Sequence, residues 1–205
     1  MAIVNINVSV TNPPKPSQLL KSGAMISTGG TTLAAGSYQL LTSKDDLKNI
    51  VAPEKTISTL AWAANVVTVT LSENHGWSSG DQIPVVISGA TPAAYNGAYT
   101  ASVTGDKTLT YTLSSDPGTA TVMGTVTTVA AGEIQQMNTT YWAQGSSRAV
   151  YVLELGEISV TSAVAALSDF IDKDISLGNT YQKFFSYLVQ REWDTEPTFK
   201  TLTGQ

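Results

Sequence analysis

The stretch 148–156, RAVYVLELG, constrains this chain more than any other. Val150, Val152 and Leu155 stand among Ala149, Tyr151 and Leu153 in a nearly unbroken apolar run, preceded by Gly145 and ended by Gly156. A short run rich in β-branched and aromatic residues, apolar on both faces, reads as a strand in the middle of a sheet, because only a central strand hides both faces from water. A helical pattern precedes it and another follows. The expected class is therefore α/β, a mixed sheet flanked by helices. The chain has 205 residues, enough for one large domain or two small ones.

From the start, Val4, Ile6, Val8 and Val10 alternate with Asn5, Asn7, Ser9 and Thr11, the pattern of a half-buried strand. Pro13, Pro14 and Pro16 follow at once and impose an extended connection poor in hydrogen bonds. A strand on such a leash can pair with its own sheet or add to a neighbour's. Residues 24–28 and 37–42 read as two further short strands. Ser43 opens a weak capping box with Asp46, predicting a helix over 44–51 with Leu47 and Ile50 or Val51 inward and Pro53 as its stop. The texture then changes. Residues 57–129 hold short β-prone runs at 66–71, 82–88, 98–103, 108–113 and 120–128, separated by turn signals such as Asn96-Gly97, Gly105-Asp106 and Asp116-Pro117-Gly118. Strands at that spacing indicate an inserted all-β small barrel or sandwich.

Helical periodicity returns over 131–144 with Ile134, Met137 and Tyr141 in phase, and again over 159–171 with Val160, Val164, Leu167 and Ile171 on one stripe, capped by Ser159 or Thr161. A second buried strand is expected over 183–189, which makes strand, helix, strand a parallel crossover unit. Thr195 and Pro197 read as the N-cap and first turn of a helix that runs out at Gln205, as in a chain cut from something longer. The expected organisation is an arm with its leash over 1–16, a discontinuous α/β unit over 17–56 and 130–205, and the β insert over 57–129.

No motif for catalysis or cofactor binding stands out, and no cofactor or metal is expected. The chain has no cysteine, so thiolate metal sites, cysteine nucleophiles and disulfides are excluded. His75 is the one histidine, too little for a usual zinc site, and reads as a turn residue before Gly76. Asp172 and Asp174 resemble the start of a calcium loop, but Leu177 replaces its glycine and Lys183 its closing acid. Glu192, Asp194 and Glu196 read as a solvated turn leading to a helix N-terminus. There is no phosphate-binding glycine loop, nucleophile elbow or dinucleotide fingerprint. A net charge of −5 without a basic cluster argues against nucleic acid as a partner. No apolar run approaches the ~20 residues of a membrane span, and residues 1–10 lack the pattern of a signal peptide. Only 13% of residues are charged, against ~25% in an average protein, as in β-rich extracellular proteins and in chains that bury much of themselves in assemblies. Trp62 and Trp77 fall in or beside the β insert, where they serve either as core or as exposed rings that stack on sugars.

Two stretches carry a family resemblance. GAMISTGGTTLAAGSYQLLTSKDDLKNIV, together with YWAQGSSRAVYVLELG, the Ala-rich helix after it and LVQREWD, resembles the tail sheath proteins of contractile-tailed bacteriophages. The shared points are a Gln144-Gly145 turn into a V-Y-V-L-E-L strand, an Ala-rich helix, and a strand running into Arg191-Glu192-Trp193-Asp194. The inner stretch from Asn74 to Leu113 is similar to a small β module of many phage structural proteins, with its His-Gly, Gly-Asp, Tyr-Asn-Gly and Thr-Tyr-Thr signature. The sheath resemblance implies a non-enzymatic homo-oligomer, stacked as rings or a helix around a tail tube, in contact with tube and baseplate proteins and located in the virion after assembly in the host cytoplasm. It assigns inter-subunit strand exchange to Val4, Ile6, Val8 and Val10. Full-length sheath proteins are longer and carry a second arm in a C-terminal part. A carbohydrate- or receptor-binding tail module, with Trp62 and Trp77 on its binding face, is the alternative.

Overall fold

The computed structural model describes residues 23–145, 148–156, 159–176, 184 and 186–203, and it is a mixed α/β structure built on two sheets. The arm residues Val4, Ile6, Val8 and Val10 lie outside the described residues. The first sheet has four strands: β1 (Gly23–Ser27), β2 (Tyr38–Leu41), β9 (Val150–Glu154) and β10 (Ser186–Leu188), in the order β10-β1-β9-β2. β1 runs parallel to both β10 and β9, whereas β2 is antiparallel to β9. β9 is thus a central strand. Its Val152 and Leu153, on opposite faces, are both fully buried, each contributing about 1.5–3 kcal/mol of apolar burial.

Side chains alternate between two cores, as the pleat requires. Met25, Val150 and Val152 pack with Leu47, Ile50 and Ile134, the last from α1 (Val129–Ala143). Ala24, Ile26 and Leu153 pack with Ala163, Val164 and Leu167 from α2 (Val160–Ser176), and Phe184 and Trp193 complete that cluster. The Ser159 hydroxyl accepts from the Ser162 amide and caps α2. Asp172 and Asp174 fall inside this helix.

Residues 44–49 form a tight 3₁₀ turn rather than an α-helix. Its start is held by Asp46, whose carboxylate accepts from the amides and hydroxyls of both Thr42 and Ser43. Those bonds, the Ser43 hydroxyl first, hold the Asp46 carboxyl down to about 2 from 3.8. A folded-state value below the unfolded one means stability that is complete above about pH 4 and disappears as pH falls toward about 2. Asp46→Asn is therefore expected to melt below the parent at pH 5, with the gap closing by pH 2. Thermal melts across that range measure it, and a gap independent of pH would remove the assignment.

The second sheet is a closed barrel of six strands, β3 (Lys55–Ala63), β4 (Val66–Leu71), β5 (Gln82–Ser88), β6 (Gly97–Gly105), β7 (Thr108–Thr112) and β8 (Thr125–Thr128), in the order β3-β4-β7-β6-β5-β8. Every pairing in it is antiparallel, and the closing pairs are β3 with β8 and β8 with β5. A barrel rather than a sandwich is what forms, and closure removes the exposed edges that a sandwich would leave. Val67, Val69, Ile83, Val85, Val103 and Leu109 fill the interior. Tyr111 donates to the carbonyl of Tyr95, and Tyr95 donates to that of Gly118, which ties the 113–124 loop to the barrel.

Several expectations need correction. β3 has no counterpart among the predicted strands. Of residues 120–128, only the last four form a strand. The strand expected as buried over 183–189 is the three-residue edge strand β10, with Tyr187 half-buried between exposed Ser186 and Leu188. It sits at the edge because the crossover from β9 passes over β1. The helix at the end, α3 (Pro197–Thr203), is capped by Glu196 and not Thr195. Glu196 accepts from the hydroxyl and amide of Thr198, while Thr195 belongs to the preceding 3₁₀ turn and donates to the Glu192 carbonyl.

Candidate functional site

In open α/β sheets the loops beyond the carboxyl ends of parallel strands are where ligands bind. Here that place is occupied first by a side chain of the chain itself. Glu154 ends β9 and is only 1% exposed. Its carboxylate accepts five hydrogen bonds among the described residues: from the hydroxyls of Ser27 and Thr31, and from the amides of Gly29, Thr31 and Gly156. All lie between 2.7 and 3.1 Å. A group that only accepts is a carboxylate in its acceptor form, and burial of that charge is tolerated because each oxygen is saturated. The amides of a strand–loop junction are the groups that cradle a phosphate in other α/β proteins. Glu154 uses them here, so this loop is built for order rather than for an anionic ligand.

A second buried network lies beside it. Gln190 exchanges hydrogen bonds with the Thr28 hydroxyl and accepts from the Trp193 indole at 3.3 Å. It links the loop after β1 to the one after β10. Gly30 completes the junction: a Cβ there would sit 2.5 Å from the Ala130 carbonyl, so only glycine lets this loop meet the first turn of α1.

Between this loop layer and the barrel lies a cleft of about 430 Å³. Thr28, Gln190 and Gly156 line it from the sheet side, Pro84, Ala98 and Tyr99 from the barrel. Glu133 of α1 and Glu192 also line it. Burial, and next the nearby Glu192 charge, push the Glu133 carboxyl above its ordinary value. Among the described residues no group of three or more His, Asp or Glu is arranged to hold a metal ion. None of the helices there is long and apolar enough to cross a membrane.

The two tryptophans singled out in the sequence are not brought to one site. Trp62 is half-buried against the barrel core and donates its indole N–H to the Leu113 carbonyl at 2.9 Å. Trp77 lines the cleft and a smaller neighbouring hollow. Its ring stacks on His75 at 4.8 Å, and the Lys55 ammonium stands 5.7 Å from its centroid. His75 is 6% exposed, with Nε2 donating to the Gly105 carbonyl and Nδ1 accepting from the Trp77 amide. Both ring nitrogens are thus spent on holding the loop. Glu192 lines the cleft, whereas Glu196 caps α3. Glu154 and Gln190 went unnoticed in the sequence. The available signal was a carboxylate inside an otherwise apolar strand.

Comparisons with protein-family models, with curated proteins and with solved structures find no match to this chain.

Proposed function

We propose that this chain is a structural subunit, or a portion of one, of a contractile phage tail sheath, joined to its neighbours by strand exchange. The observation that carries this reading is the pair of edge strands of the four-stranded sheet. β10 and β2 are its edge strands, and among the described residues nothing pairs with their outer sides. Each edge also exposes a large apolar side chain, Leu188 at 45% and Leu40 at 39%. An edge strand presents a row of free amides and carbonyls, which an extended segment of another chain can extend. The alternating segment Val4, Ile6, Val8, Val10 has the chemistry of such a strand. In this reading the sheet, with α1 on one face and α2 on the other, is the helix-flanked sheath core. Tube and baseplate proteins are the remaining partners in this reading.

The alternative, a glycan- or receptor-binding module, draws on Trp62 and Trp77. Trp77 stacks on His75 and Trp62 packs against the barrel core, which leaves less ring face for a sugar.

The test removes residues 1–12 from the full chain. The parent is expected to form rings or tubes by electron microscopy, and the shortened chain to stay monomeric with an unchanged melting temperature. A parent that remains monomeric at high concentration, or a shortened chain that unfolds, would overturn the proposal.

A further inference from the structure

The chain's one histidine sits where a single proton decides how a barrel loop is held. We infer that His75 is an acid-sensitive latch, which on taking up a proton lets go of the Trp77 backbone and so frees one wall of the cleft between barrel and sheet. The inference is independent of the sheath reading.

The hydrogen bonds fix the state of the ring. Nε2 stands 2.6 Å from the Gly105 carbonyl, which can only accept, so Nε2 carries the proton. Nδ1 stands 3.0 Å from the Trp77 amide, which can only donate, so Nδ1 is bare. This pair of bonds exists only for the neutral imidazole. A second proton leaves the Gly105 bond in place and sets Nδ1–H against the Trp77 N–H, donor against donor, around a ring that is 6% exposed. One bond survives and the other fails, so the ring keeps its anchor while the chain beyond it is released.

The charges nearby do not compensate. Lys55 of β3 stands 5.7 Å from the centroid of the same Trp77 ring on which His75 stacks, so a charged imidazole puts a second cation against one indole. Lys107, in the turn after Gly105, donates its ammonium to the Ser72 carbonyl. Glu73 and Asp81 lie in the loop of His75 itself, and Asp106 lies in the turn opposite; Asp81 accepts from the Ser78 amide. Among the described residues none of these three carboxylates forms an ion pair with His75.

The loop is built so that the release stays local. Residues 72–81 join β4 to β5 and are tied to the barrel by the Ser72 amide on the Thr56 carbonyl, the His75 amide on the Asp106 carbonyl and the Gly80 amide on the Val103 carbonyl. Between His75 and Gly80 the Trp77 amide is the one that reaches the anchored ring, whereas the bonds of Ser78 with Asp81 stay inside the loop. Trp77 lines both the cleft and the smaller hollow beside it, so its release alters both.

Hydrogen exchange of the full chain, followed by NMR from about pH 7.5 to about pH 5, tests this, because that range crosses the ordinary imidazole value of ~6.5 and stays above the ~3.9 of an aspartate carboxyl. The protection factor of the Trp77 amide is expected to fall roughly tenfold or more, the cost of stranding one partly buried donor. Its midpoint is expected to coincide with that of the His75 ring nitrogens, while the amides of Val67, Val85 and Leu109 keep their protection. In His75→Gln the Trp77 amide is expected to be less protected throughout and to show no midpoint. Trp77 protection that stays constant while the His75 ring titrates overturns the inference. So does a ring that stays neutral at the acid end, a loss shared equally by the barrel strands, or a midpoint that persists in His75→Gln. Should that variant fail to fold, the parent's own ring and amide titrations decide the matter.

Discussion

Glu154→Ala is expected to lower stability by about 3–5 kcal/mol, because it strands buried donors that have no other partner. The Thr31 amide loses its acceptor in a buried place, and the part-buried amides of Gly29 and Gly156 lose theirs beside the cleft. The hydroxyls of Ser27 and Thr31 can turn elsewhere, so they add less. Glu154→Gln separates charge from shape. One of its oxygens is kept for Gly29 and Gly156, but an NH₂ then faces the Thr31 amide, donor against donor. That variant is expected to lose about 1–3 kcal/mol. Denaturant unfolding supplies both numbers, and hydrogen exchange locates them: the amides around Gly29 and Thr31 exchange faster while barrel strands keep their protection. An alanine variant within about 1 kcal/mol of the parent would show that Glu154 does not organise this loop.

The second large effect is expected at Gly124, which leads into the strand that closes the barrel. Its φ of +72° lies in the left-handed region, and a Cβ would stand 2.1 Å from the Ser88 carbonyl oxygen and 2.7 Å from the Ala90 amide. These are backbone atoms at the end of β5, so they cannot move aside without opening the seam in which Ser88 pairs with Thr125. Gly124→Ala is expected to cost about 3 kcal/mol or more, combining the backbone penalty with the clash. Gly132→Ala is the control. It lies in α1 with nothing within 4 Å of the new methyl, and a gain of about 0.5–1 kcal/mol is expected there. Equal effects at the two positions in chemical denaturation would refute the packing account of Gly124.

The elements that were legible share a reason. β4 and α2 each keep one period along their length, β1 and β9 are short runs buried on both faces, and the barrel's turns fall on glycine, asparagine and aspartate. β3 does not keep its period. A register shift between Ile57 and Thr59 puts Ile57 and Leu60 inside together, three residues apart, so the strand alternation is broken. β10 misled because Phe184 is buried in the helix-side cluster while the three paired residues that follow lie on an edge. Apolar content alone does not distinguish a central strand from an edge strand flanked by anchoring aromatics. The cap of α3 was displaced by one residue because Glu196, which is not among the usual N-cap residues, takes the Thr198 amide itself. The cleft was not legible at all. Its walls come from residues as far apart as Thr28, Tyr99 and Glu192, which only the closed barrel and the crossover bring together.

Both chain crossings between barrel and sheet are clamped to one loop. On the way in, the Ala52 amide donates to the Gly30 carbonyl at 2.8 Å and Thr31 bridges to Val51. On the way out, β8 ends at Thr128, whose hydroxyl caps α1 without an intervening linker, and Gly30 lies against Ala130. The barrel is therefore mounted like a bracket on two adjacent bolts, with no swivel between them. Any tilt of the barrel is expected to carry α1 and the sheet with it, the two sheets turning as one piece.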